Sequence, residues 1–366
     1  VSRDTRATIR LAALRDNLQR VRELAPRSRL LAVVKADGYG HGLERVAREL
    51  AAADAFGVAS IADARRIRAI GLRNRVVVLS GIDAPDDIAQ MRRLDLDSVI
   101  HHHSQLECLE ADRLPAGERP LRVWLKIDTG MHRLGFAQDQ VQAVHERLRR
   151  LPAVDPEIVL MTHFANSDVY DDPISGEQIA RFAPLAAEIG GERSLANSAA
   201  VLGLPAVHAD WVRVGGLLYG ISVIDGRSAG EFGFHPAMSL STRLIAINRI
   251  GRGERIGYGG TWQCPEDMAV GVATIGYGDG YPRSAPSGTP VLIGGVRAPI
   301  IGRVSMDLIT IDLRGHPDAM VGDAVLLWGP ELPVEEVASA AGTIGYELVC
   351  GMTRRVDFVD DHALLA

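Results

Sequence analysis

At 366 residues, 47% hydrophobic and 23% charged, the chain has enough apolar material for a large core and enough length for two domains. A formal net charge of -6 removes the electrostatic case for nucleic acid or acidic membrane surfaces as partners. Three scattered cysteines (Cys108, Cys264, Cys350) exclude a disulfide framework, the charged start VSRDTRATIR lacks an apolar h-region, and no run approaches the ~18 apolar residues of a membrane span, so the expected compartment is a reducing cytoplasm.

In chain order, residues 6–11 are strand-like. The apolar run 30–34 is too short for a helix and reads as a buried parallel strand with Lys35 at its carboxyl end. Gly38, Gly40 and Gly42 follow in a loop that holds Tyr39 and His41. Leu43, Val46, Ala47 and Leu50 then fall at i, i+3, i+4 and i+7, the mark of an amphipathic helix. Strands are expected at 56–59, 76–79, 98–101, 121–127, 158–161, 194–196 and 211–214, and helices at 61–70, 85–93, 103–111, 141–151 and 176–189, the last with a kink or break at Pro184. Eight strands separated by helices are the pattern of a (β/α)8 TIM-type barrel, expected over residues 1–230. From residue 231 to 366 glycine becomes frequent and helical periodicity fades. Short strands at 244–247, 268–274, 290–293, 299–301, 308–311 and 324–327, with one helix at 334–341, predict a mostly β second domain.

The polar residues are distributed unevenly over this scaffold. Lys35 follows strand one, Lys126 and Arg133 lie at and after strand five, and His163 follows strand six. Asn197 and Ser198 follow strand seven, and Arg213, Gly215 and Gly216 end strand eight. All fall on the rim where barrels of this type carry their catalytic groups. A lone strand-end lysine usually snorkels to solvent, but one partly desolvated by an apolar strand becomes a nucleophile able to form a Schiff base. His101, His102 and His103 do not suggest a metal site, because neighbours in an extended segment point to opposite faces and no cysteine or carboxylate cluster completes them.

The string AVVKADGYGHG resembles the cofactor-lysine segment of alanine racemases, a family of fold-type III pyridoxal 5'-phosphate enzymes. WLKIDTGMHRLGF, MTHFA, WVRVGGLLYG, IGYGDGYPR, GRVSMD and TIGYELVCGMTRRV resemble further segments of that family, so the likeness covers nearly the whole chain. Gly278 stands where alanine is usual, and Val214 and Gly216 where proline and isoleucine are more frequent. The resemblance implies that Lys35 carries pyridoxal phosphate and that Tyr39 contacts its phosphate. Ser198, Gly215, Gly216 and Tyr346 suit further phosphate donors, with Asn197 and His163 in the cofactor site. Arg213 suits the pyridine nitrogen, since a guanidinium only donates and so keeps that nitrogen an unprotonated acceptor.

Racemisation needs acid–base groups on both faces of the α-carbon. Lys35 serves one face, and the resemblance makes Tyr277 the other base, polarised through His163 and Arg213. It also implies that Arg133 and the Met306 backbone N–H receive the substrate carboxylate, that Lys126 is often carbamylated and then orients Arg133, and that residues 6–11 pair with the second domain. The expected activity is interconversion of L- and D-alanine through an external aldimine, supplying D-alanine for bacterial peptidoglycan. The expected assembly is a homodimer whose sites are shared between subunits, with no nucleic-acid or membrane partner. The rivals are a broad-specificity racemase, a fold-type III decarboxylase, and a non-enzymatic pyridoxal phosphate carrier. Arg133 and Arg213 weigh against the decarboxylase; the second domain with Tyr277 and Met306 weighs against the carrier.

Overall fold

A computed structural model describes residues 4–361. The chain forms two compact units: one runs from Arg15 to Leu218 with Val223–Arg227, and the other contains strands from both sides of that stretch.

The first unit is built on parallel strands β2 (Arg29–Val33), β3 (Ala55–Val58), β4 (Arg75–Val78), β5 (Leu96–Ile100), β6 (Arg122–Lys126), β7 (Val159–Met161), β8 (Arg193–Ser194) and β9 (Trp211–Val214), preceded in the chain by β1 (Arg6–Ile9). Their order is β8-β7-β6-β5-β4-β3-β2-β9. No ladder joins β8 to β9, yet two backbone bonds close the ring: Asp210 N–H to the Arg193 carbonyl at 3.2 Å and Arg213 N–H to the Ala196 carbonyl at 2.9 Å. The barrel arises as expected, because most of its strands are apolar runs too short for a helix and most are followed by chain with helical periodicity; β8 (Arg193–Ser194) is the exception, a two-residue polar strand.

Leu31, Val33, Val77, Val99, Trp124, Val159, Met161 and Trp211 fill the barrel interior. The two indoles keep their N–H groups bonded at the amino-terminal end of the strands, Trp124 Nε1 to Asp97 at 2.8 Å and Trp211 Nε1 to Glu192 at 2.8 Å. Arg75 and Arg122 pair with the fully buried Asp97, and Arg29 lies 4.2 Å over the Trp211 ring. These groups form a closed, paired floor, which leaves the carboxyl ends of the strands as the open rim.

Several boundaries differ from the sequence expectation. The helix expected at 176–189 begins at Pro173, capped by Asp172, whose side chain accepts from Ile174 N at 2.8 Å, and it runs to Ile189 through Pro184 without breaking. Proline at the first helical position costs no hydrogen bond, so the start lies earlier than the apolar periodicity suggests. Residues 11–24, which carried no expectation beyond Leu11, form a helix, Leu11–Leu24.

In the second unit the strand expected at 244–247 is the middle of a 13-residue strand, β10 (Met238–Ile250). Its first half pairs with β1 and Ala324–Trp328, and its second half with Met268–Ala273. Through Ile309–Asp312, Val296–Ile301 and Pro290–Ile293 the ladder returns to Ala324–Trp328, so the sheet closes on itself. Register shifts between Leu240 and Ser241 and between Leu244 and Ala246 give the bends that one strand needs to serve both ends of a closed sheet. β1 lies between β10 and Asp357–Asp360, antiparallel to the first and parallel to the second. Two helices accompany the sheet, Val334–Ala341 as expected and the additional Gly345–Cys350.

Candidate active site

Beyond β2 the chain does not enter an irregular loop. Ala36, Asp37, Gly38, Tyr39 and Gly40 all take positive φ, between 52° and 76°, which makes a left-handed turn. For residues with a Cβ this costs roughly 1–2 kcal/mol each, so something must hold it. Gly38 N bonds to the Val34 carbonyl at 3.0 Å, Gly40 N to Ala36 at 2.9 Å and Gly42 N to Asp37 at 2.9 Å. Asp37 also accepts from Leu43 N at 3.1 Å and from Arg66 at 2.6 Å. Glycine is required at Gly38 for a second reason: a Cβ there would lie 2.9 Å from Val46 Cγ2. The turn sends Lys35 to the rim and folds Tyr39 back over the barrel core. His41 is fully buried, and desolvation holds it at about 4, so it is neutral at physiological pH.

Tyr39 meets the end of β9. A Cβ on Gly215 would collide with the Tyr39 hydroxyl, so the two approach only because the residue is glycine. Gly215 N donates to Ser198 Oγ at 2.9 Å, which leaves the Ser198 proton available to an anion. Asn197 is engaged locally: its Oδ1 caps the helix Ser198–Gly203 by accepting from Ala200 N at 3.0 Å and also takes the Ser167 hydroxyl at 2.9 Å. Gly216 opens the next turn, Gly216–Tyr219.

Arg213 is buried, and burial lowers it only to about 10, so it remains a cation at neutral pH. Its Nη1 donates to the Ser194 carbonyl and hydroxyl, both at 2.8 Å. Nη2 donates to the Thr162 carbonyl at 2.7 Å and approaches His163 Nδ1 and the Leu195 carbonyl at 3.3 Å. The Nε–H takes part in none of these bonds among the described residues, which leaves one cationic donor for an acceptor at the rim. A guanidinium cannot accept, so His163 Nδ1 is the acceptor and the ring proton sits on Nε2. Burial and four nearby cations (Arg213, Lys126, Arg133 and Lys35) hold His163 well below the usual imidazole range.

The partly desolvated lysine is Lys126 rather than Lys35. Lys35 and Arg133 are exposed in this chain, while Lys126 is buried at the end of β6. Desolvation, with Arg213, Arg133 and Lys35 nearby, lowers Lys126 to about 8 against the modest opposing pull of Asp128. About a tenth is therefore a neutral amine at pH 7, far more than for an ordinary lysine. Asp128 shapes the loop that leads to Arg133 by accepting from Gly130 N and His132 N, both at 3.0 Å. Its role was readable as an Asx turn before glycine. Four cationic side chains facing one acid describe a site for anions.

The second unit carries Tyr277, Met306 and Tyr346. Tyr277 N bonds to the Ser305 carbonyl at 3.0 Å and Gly278 N to the Met306 carbonyl at 2.9 Å, which joins the two segments. A Cβ on Gly276 would collide with the Ser305 and Met306 backbone. Buried Asp279 accepts from Gly276 N at 2.9 Å and pairs with Arg355 at 3.2 Å, and Arg355 also pairs with Asp307. Tyr277 is 40% and Met306 52% exposed, unusual for such residues. Arg283 lies 5.7 Å over the Tyr277 ring. Tyr346 is half-buried on the helix Gly345–Cys350. His101, His102 and His103 diverge, to the Ser80 carbonyl, to a helix cap at Ser104 N and to a T-shaped contact with the Phe136 ring.

The family model described as alanine racemase, N-terminal domain, matches residues 9–223, and that of the alanine racemase C-terminal domain matches residues 237–359. The alanine racemase of Nitrosococcus oceani is 53% identical over 350 residues, covering 96% of this chain and 97% of that protein. That of Shewanella loihica is 50% identical over 351 residues, with 96% and 97% covered. Among solved structures, the biosynthetic alanine racemase from Pseudomonas aeruginosa superimposes with a TM-score of 0.95 at 44% identity, covering 98% of this chain and all (100%) of that one.

Proposed function

Because this chain belongs to the alanine racemase family, its activity is the interconversion of L- and D-alanine, and we propose that Lys35 and Tyr277 carry the proton on opposite faces of the substrate α-carbon. The family is pyridoxal phosphate-dependent, and the residues on the rim fit that group. The observation that carries the reading is the pairing of the Nε–H of Arg213, unbonded among the described residues, with the Tyr39–Gly215–Ser198 cradle at the end of the same strand. The cradle suits a phosphate, with Tyr346 as a further phenolic donor and Asn197 and Gly216 beside it. The Arg213 Nε–H suits the ring nitrogen, and Lys35 is the residue for a covalent link.

Pyridoxal 5'-phosphate held by these residues would supply electron withdrawal from the substrate Cα–H bond. Arg213 would limit that withdrawal, because a guanidinium can only donate to the ring nitrogen and would keep it unprotonated, which would disfavour side reactions such as transamination. Arg133 and the Met306 backbone N–H hold the substrate carboxylate. The Lys35 amine removes or returns the α-proton on one face, and the Tyr277 hydroxyl does so on the other. A phenol is a poor base near neutrality unless polarised, and the His163 Nε2–H, fixed by the bond at Nδ1, is the polarising donor. Lys126, held partly neutral, is competent to add carbon dioxide; the resulting carbamate would pair with Arg133 and orient it.

The exposure of Lys35, Arg133, Tyr277 and Met306 supports a homodimer in which Tyr277 and Met306 of one subunit complete the site of the other. The D-alanine formed would serve bacterial peptidoglycan. No helix among the described residues is long and apolar enough to cross a membrane, and all three cysteines are free thiols, which supports a cytoplasmic setting.

Purified protein supplied with pyridoxal phosphate and L-alanine should form D-alanine without releasing carbon dioxide. Borohydride should fix the cofactor onto Lys35. Carbon dioxide release, or an adduct confined to Lys126, would overturn the assignment.

A further inference from the structure

We propose that Gln178 is a positioning residue for racemisation: from the helix Pro173–Ile189 it sets the two rim loops that carry Arg133 and His163. The inference rests on the racemase reading above for its kinetic consequence, but its geometry stands apart from it.

Gln178 is fully buried, although glutamine on an amphipathic helix normally faces water. Each polar atom is bonded. Nε2 donates to Thr129 Oγ1 at 3.1 Å and to the His163 carbonyl at 3.0 Å, while Oε1 accepts from Ala165 N at 2.9 Å. The amide therefore has one orientation that satisfies all three neighbours.

The bond to Thr129 continues inward in one direction only. Thr162 Oγ1 donates to the Ile127 carbonyl at 3.0 Å, so in its 2.7 Å contact with Thr129 it must accept. The order is Gln178 N–H to Thr129, Thr129 O–H to Thr162, Thr162 O–H to Ile127, with each hydroxyl using its one proton. Thr129 and Thr162 are both buried, so no water substitutes for a missing partner. One helical turn on, Arg181 Nη1 donates to the Thr129 carbonyl at 2.9 Å, in the space that a side chain on Gly130 would need.

The consequences for the two loops differ. Thr129, four positions before Arg133, is held by both Gln178 and Arg181. The His163 carbonyl is held by Gln178, and the His163 ring must stay aligned with Arg213 Nη2 at 3.3 Å. Gln178 thus reaches a substrate-binding loop and a proton-polarising one, while Arg181 reaches only the first.

The test compares Gln178→Met, which keeps the volume and removes every polar bond, with Arg181→Met on the full chain. Gln178→Met should lower kcat and raise KM for alanine, for a loss of about 10- to 100-fold in kcat/KM, the scale expected of a small misplacement of reacting groups. In cofactor-free protein its His163 Nδ1 nitrogen resonance should leave the position of a hydrogen-bond acceptor. Arg181→Met, at a half-exposed position that tolerates truncation, should raise KM with kcat and the His163 resonance retained. If Gln178→Met does not fold, Gln178→Glu is used: it keeps the acceptor for Ala165 N, places an oxygen against the His163 carbonyl, and should show the same kinetic split and displaced resonance. An unchanged His163 resonance with kcat/KM within about twofold of wild type would overturn the proposal. So would Arg181→Met lowering kcat as much as the Gln178 variant does. A wild-type protein that forms no D-alanine defeats the racemase reading, and the resonance arm still decides whether Gln178 holds His163.

Discussion

The hydroxyl of Tyr39 occupies the place where a side chain on Gly215 would begin. The backbone at Gly215 does not lie in the left-handed region, so alanine would be tolerated there but for this contact. Gly215→Ala should displace the Tyr39 ring and weaken pyridoxal phosphate binding by about tenfold or more, the value of one charge-assisted hydrogen bond. Absorbance titration of the cofactor-free protein measures it. Affinity equal to wild type would show that the cradle does not receive the phosphate.

Lys126 gives the protein a stability that depends on alkaline pH. Its folded value of about 8 lies below the unfolded reference, so the unfolded chain binds more protons between the two values and stability rises with pH across that window. Below pH 8 the full cost is present, on the order of 3 kcal/mol. Lys126→Met, unfolded by denaturant in carbon dioxide-free buffer, should be more stable than wild type near pH 7 and should lose that advantage as pH rises through about 10. Parallel curves for the two proteins would refute the assignment. Bicarbonate added to wild type should increase the mass at Lys126 by one carbon dioxide.

The shared-site arrangement is tested by complementation. Lys35→Ala and Tyr277→Ala homodimers should each be inactive. After subunit exchange of equal amounts, half the dimers are mixed and each has one intact site, so activity should return to roughly a quarter of wild type. No recovery, with exchange verified by mass spectrometry, would place both residues in one chain's site.

Asp97 separates stability from catalysis. It is fully buried, pairs with Arg75 and Arg122 and receives the Trp124 indole, all at the end of the barrel away from Lys35. Asp97→Ala leaves Arg75 and the Trp124 indole N–H without this partner and Arg122 with Asp95 alone, and should cost about 3 kcal/mol. Denaturant unfolding should show that loss, while KM at a permissive temperature stays within about twofold of wild type. A large change in KM with little loss of stability would mean that the floor communicates with the rim.

Much of this was legible in the sequence because the signals are local. Runs such as 30–34 and 76–79 are apolar and short, and the residues after them are polar or glycine, which is enough to place Lys35, His163 and Arg213 at strand ends. The misses had physical causes. β10 alternates from Met238 to Leu244 and is polar at Asn248 and Arg249, so only residues 244–247 carry a continuous apolar signal and nine of the thirteen residues of this sheet-closing strand lie outside it. The left-handed turn at Ala36–Gly40 is carried partly by residues with side chains, which propensity assigns elsewhere. Pro184 sits inside a helix whose packing overrides the break. Within one chain it is Lys126, not Lys35, that is buried, because burial depends on what covers a side chain and not only on the strand that precedes it. Gln178 gave no signal at all: on one helix face a single polar residue looks the same whether it faces water or a buried threonine and two backbone groups.

β1 lies in the interior of the second unit's sheet, with β10 on one side and Asp357–Asp360 on the other, although the entire barrel sequence intervenes before either is synthesised. The barrel is therefore an insertion within the β unit, and the two units face opposite situations at the ribosome. The barrel strands are contiguous and can pair as they emerge. β1, made before either of its partners, stays unpaired until β10 has been translated, and its other edge stays open until Asp357–Asp360 follows, so it must be kept from pairing with other edges meanwhile. Its short length, four residues with Arg6 and Thr8 on the less buried face, is the form in which such a waiting strand carries least risk.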